Sequence, residues 1–414
     1  MLDVIISVVT AVLAFAVMLP LIVFVHEYGH FKVARLCGVR VDTFSIGFGK
    51  SLLQWTDKKG TVWKIAAIPL GGFVKFFGDA NAASAGTVAH SDGEEEEGHA
   101  GDAKPVTTQF TSERDRLAAL LTEEEKSVCF HFKPVWQRMA VVAAGPLANF
   151  LLAIAIFAVI LGTLGKTVID PVIGEVQEDT AAAEAGLQAG DRIVAVNGRS
   201  VDEFEDISRW VKLSSGTSLT ISVLRDGQTL DLLATPRRTK QIDGFGNEIE
   251  VGFLGIRTSA DAVRRQEYGP LAALIGGIDE VRSVLSSTLK YLGRLVSLKE
   301  DPRQLGGPVK IAKYAGQAAN SGFDDRFEAS LGERVLLSFV SFISLAGLVS
   351  VSIGLLNLLP VPVLDGGHLV FYTYELLAGR PLNDKVQGFA FRLGMVMIGS
   401  LMIFVLVNDV IQLF

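Results

Sequence analysis

Long uncharged apolar runs alternate with polar stretches along the chain. Residues 4–25, 139–165 and 335–364 contain no Asp, Glu, Lys or Arg. A helix needs about 20 mainly apolar residues to cross the hydrocarbon core of a bilayer. Each of these three runs therefore predicts a membrane span. A fourth run, 393–408, lies between Arg392 and Asp409. It reaches spanning length when Phe389, Phe391 and residues 410–414 are counted with it. The first run lacks a basic leader and a small-x-small cleavage site, so it reads as a retained span rather than a removable signal.

The polar stretches have patterns of their own. Residues 172–176 and 193–196 read as strands, with Asn197-Gly198 as a tight-turn pair. Phe204, Ile207, Trp210 and Val211 have helical spacing, and residues 219–224 and 229–233 form a hairpin about Asp226-Gly227. Residues 270–298 repeat Leu, Ile and Val at three- and four-residue steps. They predict an amphipathic helix, lying on the membrane surface or packed on the soluble domain. Residues 61–68 and 73–77 are short β-like runs flanking Pro69-Leu70-Gly71-Gly72 and predict a hairpin. Residues 79–126 hold few large apolar side chains and read as a flexible acidic insertion, with a short helix around 116–125.

Composition agrees with this layout. Hydrophobic residues make up 49% of the 414 and charged residues 20%; mean hydropathy is +0.39. Wholesale disorder is excluded, and two cysteines exclude a disulfide scaffold. A net charge of −7 gives no basic signature for nucleic acid, so no nucleic-acid partner is expected. The insertion holds 12 acidic and 4 basic residues, a net of −8, so the rest of the chain is nearly neutral. Eight Lys and Arg lie between residues 31 and 75, with Lys133 and Arg138 just before the second run. Basic residues flanking spans stay in the cytoplasm. That places residues 31–134 inside, and both termini and residues 166–333 outside. Cys37 and Cys129 both fall on the reducing side.

The first span ends in His26-Glu27-Tyr28-Gly29-His30. Positions i and i+4 share a helix face, so the two imidazoles can hold one metal ion. Glu27 beside them can take a proton from water. A pair of imidazoles satisfied by hydrogen bonds is the plainer alternative, but ionisable groups inside a span are costly and mark function. A catalytic zinc takes a third protein ligand. The best candidate is Asp365, after the breaks at Pro360 and Pro362 in the third run. By composition alone, Asp365-Gly366 reads equally well as a turn at the membrane edge. His368 is a rival by chemistry, whereas His90 and His99 in the insertion read as incidental.

These two motifs together resemble the site-2 protease family of intramembrane zinc proteases, most closely its bacterial regulator-of-sigma-E protease members. Further matching stretches are Ser45 to Lys50, Ile68 to Lys75, Ala144 to Asn149 and Gly306 to Val309. The soluble stretch resembles a PDZ domain, through Ala185-Gly186-Leu187, Gly190-Asp191 and Val196-Asn197-Gly198. The resemblance implies Zn2+ held by His26, His30 and Asp365, with Glu27 as general base. It implies substrate contacts at Asn357 and along a membrane-dipping hairpin that includes Ile68, Gly71 and Gly72. It further implies single-span membrane proteins as substrates, an anti-sigma factor or residual signal peptides among them, and peptide tails at the PDZ unit. Residues 173–176 would be the edge strand that receives such a tail, with a filter that binds no specific peptide as the alternative. Only one PDZ unit is recognisable, where some members of the family carry two.

The expected fold is a polytopic α-helical membrane protein of about four spans, with a membrane-associated β-hairpin and an inserted α+β PDZ domain. The boundaries are 1–30 for the first span with the zinc motif, 31–78 for the hairpin region and 79–127 for the insertion. Then come 128–165 for the second span, 166–260 for the PDZ domain and 261–332 for an amphipathic helical region. The third span with its Asp occupies 333–365, and a cytoplasmic turn with the fourth span occupies 366–414. A non-enzymatic PDZ scaffold with a structural metal is the competing reading, although a structural site needs no Glu27. A transporter would show symmetry between halves, and none is visible.

Overall fold

The computed structural model describes residues 2–78, 113–242, 248–259, 262–297, 302, 305–323 and 330–411. Helix α1 (Leu2–Leu36) is followed by β1 (Val41–Thr56) and β2 (Val62–Phe76). Helices α2 (Glu113–Leu120), α3 (Glu123–Val128) and α4 (Val135–Leu164) come next. A strand-rich region holds β3 (Lys166–Ile169), β4 (Ile173–Val176), α5 (Ala181–Glu184), β5 (Arg192–Val196), β6 (Arg199–Ser200) and α6 (Phe204–Lys212). It continues through β7 (Leu219–Arg225), β8 (Gln228–Ala234), β9 (Arg237–Ile242), β10 (Glu248–Phe253), β11 (Ile256–Thr258) and β12 (Val263–Gln266). The rest is helical: α7 (Pro270–Val296), α8 (Pro308–Asn320), α9 (Leu331–Asn357), α10 (Asp365–Ala378) and α11 (Asp384–Ile411).

Helices α1, α4, α9 and α11 are each long and apolar enough to cross a membrane, which bears out four spans by length and composition. Their outward faces are apolar too. Val12, Leu13 and Val17 on α1 and Val396 and Ile403 on α11 are exposed, the inverse of a helix in water.

The chain divides into two compact units. The first comprises Met1–Leu152, Gly307–Ala319 and Val349–Phe414; the second comprises Ala153–Gly306 and Asn320–Leu348. In the first unit, Phe31, Phe44, Val74, Phe76, Phe130 and Val141 form the core. It joins the last turns of α1 to the β1–β2 sheet and the start of α4.

That sheet differs from the expected hairpin. Residues 72–76 pair with 41–46 in descending register, from Val41 with Phe76 to Ile46 with Gly72. Residues 62–65 pair with 43–46 in ascending register, on the other side. Residues 51–56 then pair with 62–66. The two β-like runs about Pro69 thus flank β1 instead of pairing with each other. Phe44 and Ser45, both buried, hold the middle position between the two runs.

The second unit buries Ile173, Ile193, Ile207, Val211, Leu219, Ile221 and Leu254 in one core. Its four-stranded sheet has the order β6-β5-β7-β8. Asn197 (φ 51°) with Gly198 (φ 72°), and Asp226 (φ 48°) with Gly227 (φ 79°), make the two tight turns read from the sequence. Strand β4, expected to offer a free edge, pairs along one edge with β11 through the pairs Ile256–Val176 and Arg257–Glu175, in a two-stranded sheet. Helix α7 packs on this unit: Arg209 donates to Ser283, and Lys290 donates to Ser214 at 2.9 Å.

Two smaller differences concern helices. The predicted short helix at 116–125 is two helices, because Thr122 caps α3 through a reciprocal bond pair with Glu125. A helix, α10, occupies much of the stretch read as a cytoplasmic turn. The bulk of the acidic insertion, 79–112, with His90 and His99, lies outside the described residues.

Candidate active site

All the groups of the site lie in the first unit. His26, Glu27 and His30 sit near the end of α1, each less than a tenth exposed. One helical turn separates the two histidines, so both rings leave the helix on the same side. Their Nε2 atoms come within 3.2 Å of each other.

Asp365 arrives from a break in the helical run. Helix α9 stops at Asn357 because Pro360 and Pro362 cannot continue its hydrogen-bond ladder. The chain folds into consecutive tight turns, with Val361 N–H donating to Leu359 O and Leu364 N–H donating to Val361 O. Gly366 and Gly367 close the fold. A methyl on Gly366 would lie 2.3 Å from the Leu358 and Leu359 carbonyl oxygens, and one on Gly367 would lie 2.3 Å from that of Val361. Asp365 opens α10 directly beneath these turns. Its Oδ2 stands 3.2 Å from His26 Nε2 and 3.4 Å from His30 Nε2. Among the described residues, this trio is the cluster whose atoms could share a metal ion.

The surrounding groups orient it. His30 Nδ1–H donates to the Val141 carbonyl at 2.9 Å, which turns Nε2 toward Asp365. Asn149 Nδ2 lies 3.3 Å from His26 Nδ1, and Asn357 Nδ2 lies 3.4 Å from His26 Nε2. Glu27 Oε2 is buried with no hydrogen-bond partner. Gly72 lies against it: a methyl there would stand 3.0 Å from Glu27 Cγ and 2.7 Å from Ser45 O. An unpaired carboxyl oxygen in such a place is costly unless a ligand or water completes it.

Of the sequence-predicted residues, His26, His30, Asp365 and Asn357 converge, and Gly72 reaches Glu27. Gly71 lies over the Phe48 ring, and Ile68 is half exposed on the same sheet. His368 turns to the rings of Phe371 and Tyr372 and is not in the trio. Val141, Asn149 and Gly145 are the additions. A methyl at Gly145 would meet His30 Nε2 at 2.2 Å. Gly145 and Asn149 stood in the matched stretch Ala144 to Asn149, where helix packing explains them as well as a substrate role does. The contact of Asn149 with His26 spans 123 positions, and no local pattern encodes that.

The comparisons with known proteins agree with this chemistry. Peptidase family M50 matches residues 14–401. "Putative zinc metalloprotease Atu1380" of Agrobacterium fabrum is 45% identical over 97% of this chain and 96% of its own length. "Putative zinc metalloprotease R01501" of Rhizobium meliloti is 41% identical over 97% and 96%. "Metalloprotease MmpA" of Caulobacter vibrioides is 39% identical over 94% and 93%. With four apolar spans and a buried His–His–Asp trio, the chain belongs to peptidase family M50, the site-2 protease family, and is a zinc metalloprotease of the membrane.

Proposed function

We propose that this protein is an intramembrane endopeptidase that cuts the spanning segment of single-span membrane proteins, with His26, His30 and Asp365 as zinc ligands and Glu27 as the general base. The observation that carries the reading is the size of the donor triangle. Zinc binds His nitrogen and carboxylate oxygen at about 2.0–2.2 Å in tetrahedral sites, so ligand atoms stand about 3.3–3.5 Å apart. The three edges here are 3.2, 3.2 and 3.4 Å. The donor set also fits, being two imidazoles and one carboxylate of a hydrolytic zinc site.

When bound, zinc would supply Lewis acidity toward a water and a peptide carbonyl. Glu27 takes the proton of the attacking water and returns it to the leaving amine. The Asn357 amide, beside the triangle, donates to the substrate carbonyl as negative charge develops on its oxygen. A spanning helix hides its peptide bonds in its own hydrogen bonds, so cleavage requires local unwinding. The sheet segment around Ile68, Gly71 and Gly72 would receive the unwound strand by edge pairing, beside Glu27. Residues 31–134 would lie in the cytoplasm of a bacterium, and the strand-rich unit would be an extracytoplasmic PDZ domain that filters substrates or holds peptide tails. Anti-sigma factors and residual signal peptides are the proposed substrates.

Glu27→Gln tests the mechanism. A single-span reporter should be cut at least ~10²-fold more slowly, in the range general bases contribute, while zinc stays bound at the wild-type level. Unimpaired cleavage by that variant would remove Glu27 from the chemistry.

A further inference from the structure

The two histidines are oriented from the same helix, by partners of different kinds. For His30 the partner is a carbonyl, which only accepts, so its Nδ1 carries the proton. For His26 the partner is the Asn149 side chain, which can face either way. Asn149 is fully buried on α4, and its backbone carbonyl accepts from Ser350 Oγ at 2.9 Å. Its own Oδ1 is buried with no partner.

The two amide orientations have different consequences. With Nδ2 toward His26 Nδ1, that nitrogen must be the acceptor, and the ring proton sits on Nε2. An N–H then points into the donor triangle, which suits the 3.2 Å approach to Asp365 Oδ2 but blocks metal binding. It also leaves Asn149 Oδ1 unsatisfied, which is costly for a buried acceptor. With the amide turned over, Oδ1 accepts from His26 Nδ1–H. Nε2 becomes a bare lone pair, and the orphaned oxygen gains its partner, while the amide NH2 takes the place that oxygen left.

The geometry points to Asn149 as a positioning residue: its side-chain oxygen accepts the Nδ1–H of His26 in the zinc-loaded protein and thereby fixes Nε2 as the atom offered to the metal. This inference rests on the proposed ligand set. It gives α4 a specific task, with Val141 setting one imidazole and Asn149 the other. Asn149 acts through His26 and takes no part in bond breaking.

The test measures zinc retention by the full-length protein in detergent against a graded chelator, with thermal unfolding recorded in parallel. Asn149→Leu removes the acceptor at similar volume. It should release zinc at a 10- to 100-fold lower chelator concentration, the usual effect of losing a group that orients a metal-bound histidine. Asn149→Asp keeps an acceptor and should hold zinc nearly as the wild type does. His30→Ala serves as the control for the ligand set and should lose zinc outright. If His30→Ala retains zinc, the ligand set itself is wrong. If it loses zinc while Asn149→Leu retains it as tightly as the wild type, only the role of Asn149 falls. Nitrogen-15 spectra of histidine-labelled wild type give a readout that does not depend on any variant folding. Nδ1 of His26 should be protonated in the zinc-loaded protein, and a proton on Nε2 would overturn the inference.

Discussion

Gly145 has no side chain, yet the position is among the most constrained in the site. A methyl there would stand 2.2 Å from His30 Nε2 and 2.5 Å from Cε1 of the same ring. Neither α4 nor the imidazole can yield without moving a proposed metal ligand. Gly145→Ala should therefore weaken zinc retention at least tenfold and slow cleavage by ~10²-fold, the scale expected when a reacting group shifts by about 1 Å. Chelator titration and a reporter assay on the same preparation check both. Cleavage at the wild-type rate would mean that the ring relaxes elsewhere. His26, Glu27 and His30 were legible in the sequence because their geometry is local: four residues make one turn. Asp365 was legible only as a candidate, since a Pro-rich break followed by Asp-Gly is also how an ordinary turn is written. Gly145 and Asn149 act across more than a hundred positions, and nothing near them in the chain records what they touch.

Among elements, α10 has the most exacting placement, because its first residue is Asp365. Its other end is tied to α4 by a buried ion pair. Arg138 donates to Glu375 at 2.7 Å, with less than a tenth of either side chain exposed. The Arg138 guanidinium also lies 4.9 Å from the centre of the Tyr372 ring. Removing one member strands the other charge, which costs about 3–5 kcal/mol in buried pairs, whereas replacing both with apolar groups is often near neutral. Glu375→Ala should lower the unfolding temperature in detergent markedly, and Arg138→Met combined with Glu375→Leu should recover most of the loss. A single variant as stable as the wild type would show the pair to be open to water. A comparable device holds α8. Asp409 of α11 accepts from the backbone N–H of Gly307, Val309 and Lys310, at 2.9, 3.1 and 3.1 Å, and so caps a helix remote in sequence. The four spans were readable from apolar run length, but α10 lay in a stretch read as a turn, and the caps and ties come from partners far along the chain. The sheet misled for the same reason. Alternation identified the β-like runs about Pro69, but it does not encode that both pair with β1 instead of with each other.

At the scale of the whole molecule, the two units use apolar side chains in different ways, although each holds part of the spans α4 and α9. The first turns apolar side chains outward on α1 and α11, as lipid demands. The second buries an ordinary apolar core and keeps its ionic groups at the edge of that core. The most buried of these is Asp191, which accepts from Arg225 Nε at 2.6 Å and Nη2 at 2.7 Å, and from Gln188 N–H at 2.9 Å. Burial alone would raise its pKa. The Arg225 bonds and the Gln188 amide outweigh that and hold its carboxyl below the usual carboxylate range. A depressed native pKa means that the unfolded chain takes up protons first. The stability supplied by Asp191 is then complete above its unfolded value of about 4, and is lost as pH falls through the lower native value. The strand-rich unit should therefore loosen in acid while neutral pH leaves it intact. Hydrogen exchange followed at β5 and β7 should show protection falling below about pH 4 in the wild type. Asp191→Asn, which keeps the shape and removes the charge, should be less protected at neutral pH and should show a smaller further loss in acid. Equal acid losses in the two proteins would assign the transition to other carboxylates.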